Sequence, residues 1–380
     1  MLSDLAQDLA ARGMAVEVIT SRLRYDDPDA ALAPFEQVAG VSVFRVWSSR
    51  FGRRSLPGRA VDYVSFYVTA AWRLWRRAGR DAVVVAKTDP PMVSVMAAPV
   101  ARLRGARLVN WLQDLFPEVA SALGVRVARG PVLRLLTAWR NAGLRAADTN
   151  VVLGEHMAAR VRAAGVEASR VAVIPNWADG EAIVPLARGE NPLREAWGLA
   201  DRFVVGYSGN LGRAHEFDTF LDAAERLGGR ESVVFLFIGG GAQREAVEEA
   251  ARARGLENVR FEPYQPRERL SESLGVADVH LVSLNPALEG LIVPSKFYGI
   301  AAAGRPTLFV GDVEGEIPRV LREAGCGEAV ATGDGAGLAA WIARLADDAD
   351  LCAAWGRNAR AVLESRFDRR LAVEAWVGVL

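Results

Sequence analysis

The chain has 380 residues, 46 basic and 46 acidic side chains, 51% hydrophobic and 24% charged content, which excludes a disordered or fibrous protein. Its length exceeds what a single core usually serves, so two domains are expected. Two isolated cysteines, Cys326 and Cys352, give no disulfide framework, and no run reaches the roughly 18 to 20 apolar residues of a spanning helix, so a cytoplasmic protein is expected.

Residues 2–12, LSDLAQDLAAR, carry apolar side chains at 2, 5, 6, 9 and 10, a helical spacing stopped by Gly13. No strand precedes this helix, and its amphipathic pattern is not that of a signal peptide. Strand-like runs at 15–20, 41–47, 81–87, 107–112, 149–153 and 171–174 then alternate with helical ones. Such alternation predicts a parallel sheet with right-handed crossovers and ligands at the carboxyl ends of the strands. Charge is uneven: residues 1–180 hold 24 basic against 16 acidic side chains, and residues 181–380 the reverse, 22 against 30. Residues 41–146 alone hold 18 basic and 5 acidic, including the segment Arg50-Phe51-Gly52-Arg53-Arg54. Trp72 and Trp75 lie one helical turn apart beside arginines. That pattern suits a helix lying on an anionic bilayer, and equally a solvated arginine face with its tryptophans in the core. Nucleic acid is not expected as a partner, because the second half is acidic and no recognition module is present. Asp114, in WLQDLFPE, ends a strand and reads either as a site acid or as a cap of the next helix. Asp26, Asp27 and Asp29, and Asp347, Asp348 and Asp350, read as acids of a turn and a helix end, not a metal site.

Residues 176–200 have no clear period and mark the hinge. Alternation restarts with FVVGYS at 203–208, followed by Gly209-Asn210-Leu211-Gly212-Arg213-Ala214-His215 and a helical run. The glycines allow close backbone approach to a ligand, and Arg213 and His215 offer donors to a diphosphate. Ser208 lacks the spacing of a hydrolase nucleophile. A second loop, Gly239-Gly240-Gly241, follows the strand at 233–238 but lacks the third glycine of a dinucleotide fingerprint. The stretch NPALEGLIVPSKFYGIAAAGRP, residues 285–306, runs from the strand at 279–284 through Glu289 and Gly290 into a helix expected to start near Pro294. Ser295, Lys296 and Tyr298 would lie in its first turn. There backbone N–H groups and the ammonium of Lys296 face an anion, or Lys296 is simply solvated at an ordinary helix start. His156, His215 and His280 have no metal-ligand spacing, and His280 reads as structural.

YSGNLGRAHEFDTFLDAA, EGLIVPSKFYGIAAAGRP and VVLGEHMAARV followed by VAVIPNWAD resemble the bacterial nucleotide-sugar glycosyltransferases of family 4. The flavour is that of O-antigen, capsule and colanic-acid assembly, including N-acetyl-L-fucosamine transferases. The resemblance implies an α/β fold of two Rossmann-like, doubly wound parallel-sheet domains facing a cleft (GT-B). It places an acceptor-side domain at 1–178, a nucleotide-sugar-binding domain at 179–362, and at 363–380 a helix packing back on the first domain. It implies a retaining transfer, without a metal or other cofactor, from a nucleotide-sugar donor, a UDP-sugar, to a polyprenyl-diphosphate-linked glycan at the inner face of the membrane. Arg213, Lys296, Glu289 and Asp114 would be catalytic. Gly209, Asn210, Gly212, His215, Gly240, Tyr264, Gly290, Pro294, Ser295 and Tyr298 would hold the donor.

Several columns depart from that family. The second of two glutamates, on the ribose, is replaced by Phe297, and the Lys-x-x-Glu variant ends here in Gly299. Asn210 and His215 stand where the family has Arg and Lys, leaving Arg213 and Lys296 as the cations. Tyr264, in the loop that would face the base, either stacks on it or caps its strand. The family's first, central strand is not seen, so either the chain begins late or the domain tolerates the loss, with impaired stability or activity expected. Two rivals stay open: a nucleotide-sugar 2-epimerase, which shares the two-domain plan, and a catalytically degenerate partner subunit.

Overall fold

A computed structural model describes residues 1–23, 32–51, 56–125 and 130–380. The acids Asp26, Asp27 and Asp29, and Gly52, Arg53 and Arg54 of the basic segment, lie outside the described residues.

The first half contains strands β1 (Glu17–Ser21), β2 (Phe35–Val38), β3 (Val41–Val46), β4 (Val83–Lys87), β5 (Arg107–Trp111), β6 (Thr149–Val152) and β7 (Val171–Val173). Its helices are α1 (Leu2–Ala11), α2 (Leu56–Arg77), α3 (Val93–Arg104), α4 (Glu118–Ala122), α5 (Gly130–Ala146) and α6 (Glu155–Ala163). The strands form two sheets, β1-β3-β2 and β4-β5-β6-β7. All pairs are parallel except β2 with β3, a short exposed strand that the sequence reading missed. Among the described residues β1 pairs only with β3 and β4 only with β5, so each leaves one edge open. Val85, mid-strand in β4 at one of these edges, is 36% exposed. Helix packing of α2 against both β1 and α3 keeps the two sheets side by side.

The second half forms one six-stranded parallel sheet from β8 (Phe203–Ser208), β9 (Val233–Ile238), β10 (Val259–Glu262), β11 (Val279–Ser283), β12 (Thr307–Gly311) and β13 (Gly327–Ala331). Its order, β10-β9-β8-β11-β12-β13, reverses direction between β8 and β11, and the loops after those strands carry the candidate site. β9, β11 and β12 are buried along their whole length, as parallel strands covered on both faces must be. These are the two parallel-sheet α/β domains of the GT-B arrangement.

The halves are joined in two places. The C-terminal helix Arg369–Val379 buries Val373 and Trp376 against Leu5, Leu9, Trp111 and Trp177, so the first half's core is completed by the chain's last turns. Arg369 ties this joint with bonds to Asp8 (2.7 Å) and Asp179 (2.9 Å). A second shared core unites Leu112, Leu115 and Met157 with Leu288, Leu291 and Val293. Here the Leu115 N–H donates to the Leu291 carbonyl at 2.9 Å, and Asp114 pairs antiparallel with Ile292.

Candidate active site

Two loops interlock at the carboxyl ends of β8 and β9. The Gly209 N–H donates to the Ile238 carbonyl (2.8 Å) and the Leu211 N–H to the Gly240 carbonyl (2.8 Å). Gly239 has φ of +136°, and a Cβ there would run into the Gly209 carbonyl, so only glycine fits. Gln243 fastens the outer turn, its amide donating to the carbonyls of Gly212 (2.7 Å) and His215 (3.1 Å). Asn210 is exposed and rests against Gly241 and Gly212. The Tyr264 ring lies against Gly239 and Gly240, its hydroxyl donates to the Gly240 carbonyl at 3.1 Å, and it remains 58% exposed. One face of that ring is thus seated on backbone while the side chain stays accessible.

Lys296 reaches this pair of loops from the other side of the switch point. Its Nζ lies 2.8 Å from His215 Nε2, and its Cε would be 3.1 Å from a Cβ on Gly209. His215 Nδ1 is 2.6 Å from the Ser283 carbonyl, which can only accept, so Nδ1 carries the proton and Nε2 accepts from the ammonium. Burial, reinforced by the Lys296 charge, pushes the His215 pKa down to about 4, keeping the ring neutral. Burial likewise pushes Lys296 down to about 8. Its ammonium also stands 5.1 Å from the Tyr207 ring centre. His215 thus holds a lysine supplied by another element. Arg213 is exposed on the outer turn, with no hydrogen bond or ion pair among the described residues.

The segment between Glu289 and Lys296 corrects part of the sequence reading. The helix is Lys296–Ala302, with Ser295 as its N-cap, so Pro294 precedes it instead of opening its first turn. Pro294 is buried and Ser295 exposed without a side-chain capping bond. Tyr298 is not at the site: it is 2% exposed and packs edge-on against Phe297 (5.6 Å) and Phe367 (5.2 Å). Buried positions 297, 298, 300, 301 and 302 show the reason, a short helix with most of its circumference in the core.

Glu289 points to the first half. Its Oε1 accepts from His156 Nδ1 (2.9 Å) and from the Glu316 N–H (3.0 Å), while Arg160 donates to its carbonyl (2.8 Å). Gly290, at φ of +72°, lies where a Cβ would press on Arg160 and His156. Glu316 in turn accepts from the His156 N–H at 3.2 Å. The sequence assigns neither His156 nor Arg160 a place beside Glu289; they stand more than 120 positions from it, and only the fold brings them together.

Asp114 bridges Ile292 and so lies beside the same segment. Its N–H and that of Gln113 contact Thr88 Oγ1 (3.4 and 2.8 Å), and its Oδ1 is buried without a partner. Burial pushes its pKa up to about 6. A small cavity lined by Thr88, Ser94, Phe116 and Arg140 adjoins it. The structure therefore gathers Gly209, Gly212, His215, Gly240, Tyr264 and Lys296 in one cluster and Asp114, Glu289 and Gly290 in a second. The segment Glu289 to Lys296 joins them. The second acid group, Asp347, Asp348 and Asp350, is not a cluster of ligands: Asp348 caps a helix through the Leu351 N–H (2.9 Å) and Asp347 pairs with Arg230. His280 is fully buried on the Leu274 carbonyl at 2.8 Å.

Models of two domains match nearly end to end: a glycosyl transferase 4-like domain at residues 1–177 and the glycosyl transferases group 1 at 190–362. A Pseudomonas aeruginosa protein named as a glycosyltransferase, WbjE, is 30% identical over 303 residues, 80% of this chain and 75% of that protein. The chain belongs to this glycosyltransferase family. WcaI of Escherichia coli strain K12, named as a colanic acid biosynthesis glycosyl transferase, is 30% identical over 259 residues, 67% of this chain and 62% of that one. Among solved structures, Anabaena HepE in complex with UDP and glucose superposes with a TM-score of 0.72 at 18% identity, covering 100% of this chain and 94% of that one. That likeness is one of fold.

Proposed function

We propose that this glycosyltransferase moves a sugar, with retention, from a UDP-sugar to a polyprenyl-diphosphate-linked glycan in cell-surface polysaccharide assembly, at the inner face of the cell membrane. The observation that carries the reading is the half-buried Lys296 ammonium held on neutral His215 beside Gly209, at the switch point of the second sheet. A partly desolvated cation next to close-approach glycine loops is suited to a diphosphate. HepE was solved with UDP and glucose, and WcaI is named for colanic acid biosynthesis, which supports the donor and the pathway class.

In the reaction, the bond between the anomeric carbon and the β-phosphate oxygen breaks and its electrons stay on the phosphate. Lys296, with Arg213 from the outer turn, meets that growing charge, so no metal is invoked. Tyr264 offers the uracil a ring face. Glu289, fixed by His156 and the Glu316 N–H, orients the sugar, and Asp114 positions or deprotonates the acceptor hydroxyl, which attacks from the face the leaving group vacates. Incubation with UDP-sugars and a short polyprenyl-diphosphate glycan, followed by NMR of the product, tests this. A new glycosidic bond of unchanged anomeric configuration is expected. Conversion of donor without acceptor would instead identify an epimerase, and failure to bind UDP or turn over would identify a degenerate subunit.

A further inference from the structure

Helices α2, α3 and α5 pack side by side in one layer over the first half's sheets. The middle helix, α3, approaches α5 closely enough that a Cβ on Gly143 would press on Ser94. α2 is apolar on two opposite sides. Phe66 and Ala70 face inward and are buried, while Val61, Val64, Val68, Trp72 and Trp75 are exposed, 60%, 65% and 63% for Val64, Val68 and Trp72. At 100° per residue those five fall within an arc of about 80°, a continuous outer stripe along a 22-residue helix. α5 repeats the device with exposed Val132, Leu135 and Trp139 at the same i, i+3, i+7 spacing, and α3 adds Leu103. Between α3 and α5 runs an open, mostly apolar groove of about 870 Å³ flanked by Pro99, Arg102 and Trp139. Of the two readings of Trp72 and Trp75, the core is the one the structure does not bear out.

Charge decides what this face fits. The three helices carry four, two and three arginines, no lysine and a single carboxylate, Asp62. Arg76, Arg102 and Arg134 make no ion pair among the described residues. Arg76 lies over the Trp72 ring (5.9 Å) and Arg104 over Trp75 (5.4 Å), guanidinium and indole side by side at the border of an apolar stripe. No helix among the described residues is long and apolar enough to cross a membrane. Aliphatic stripes bordered by tryptophan and unpaired arginine match the boundary between acyl chains and anionic headgroups, where the rings sit at headgroup depth and guanidinium groups meet phosphates. A nucleic acid would use the arginines and leave the valines without a role.

We propose that α2, α3 and α5 form a docking face for an anionic phospholipid bilayer. The inference does not depend on the transfer reaction. Co-sedimentation of the whole chain with phosphatidylcholine vesicles, with and without phosphatidylglycerol, tests it. Binding is expected only with phosphatidylglycerol, with release at high salt and a blue shift of tryptophan emission. V64E/V68E should lower the partition coefficient at least about tenfold, and R76A/R134A by roughly 30-fold at low salt, at about 1 kcal/mol for each arginine. Both pairs are surface changes, so an unaltered melting temperature verifies the fold, and either pair alone suffices if the other misfolds. Equal binding to neutral vesicles, no binding, or unchanged binding by both variants overturns the proposal. A wild-type dimer that V64E/V68E dissociates, without vesicle binding, assigns the face to a second copy instead.

Discussion

The two halves solve the same topological problem with unequal completeness. In the second, six parallel strands form one sheet, and the loops at its carboxyl edge lock each other through backbone bonds, so the partners that Lys296 meets, His215 and Gly209, belong to its own half. In the first, the seven strands among the described residues divide between two sheets with open edges. Its order is borrowed from the C-terminal helix and from the segment around Leu291. The donor side is thus preorganised locally, whereas the acceptor side depends on contacts made by chain segments far away in sequence.

The sharpest way to break this contrast is Trp376→Ala. Trp376 is fully buried, edge-on to Trp111 at 4.9 Å, and its truncation should cost about 3–5 kcal/mol. If the halves differ as argued, calorimetry will show the first half melting early while UDP still protects the second. A single transition lowered as a whole would mean that the halves share one cooperative unit.

Lys296→Ala comes next, with an expected loss of about 10²- to 10³-fold in turnover in a chain that stays folded. Arg213→Ala should lose less, because an exposed arginine is screened by water. Near-normal turnover in both would remove the leaving-group assignment. The sign of the pH effect separates binding from stability. Lys296 has a folded pKa of about 8 against an ordinary 10.5, so the unfolded chain holds that proton more tightly. The resulting cost to stability is fully present below pH 8 and fades as pH rises towards 10.5, whereas affinity for UDP falls over the same range as the charge is lost. Opposite trends in melting temperature and UDP affinity above pH 8, absent in Lys296→Ala, would establish the point.

Asp114→Asn probes the acceptor side. The carboxyl has a folded pKa of about 6 against 3.8, so burying it ionised costs stability above pH 6, and the cost disappears as pH falls to 3.8. The amide should therefore raise stability by up to about 3 kcal/mol at neutral pH while turnover drops, and the wild-type rate should decline below about pH 6. Asp114 does not cap the next helix, whose N-cap is Pro117, so a variant that is neither slower nor more stable would leave the carboxyl without a role in the reaction.

How far the sequence foretold this follows from the range of each interaction. β8 and β9 were readable to the residue, because buried parallel strands are unbroken apolar runs bounded by glycine. Lys296 and the glycine loops were legible as types in a strand, loop and helix pattern. Tyr298 was misplaced because an aromatic after a lysine looks like a ligand platform until helix periodicity turns it inward. Pro294 reads as a helix start, but its neighbours Leu291 and Val293 belong to the shared core and the helix opens only at Lys296. The direction of the Trp72 stripe was not readable at all, since the same spacing serves a face turned to protein or to lipid.

His156→Ala is the mildest of the changes and bears on the joint between the halves. His156 Nδ1 supplies one of two hydrogen bonds to Glu289 Oε1, and the Glu316 N–H remains when it is removed. Losing one bond to a charged group while another persists should cost about 1.5 kcal/mol, near tenfold in turnover. The effect should fall on kcat more than on KM if Glu289 acts on the sugar in the transition state. Asn at position 156 can place an amide N–H near the lost Nδ1 and should restore part of the rate, which a merely bulky spacer would not. If His156→Ala and His156→Asn behave alike, Glu289 is held by its own half, and the second domain is self-sufficient in its acid as well as its cation.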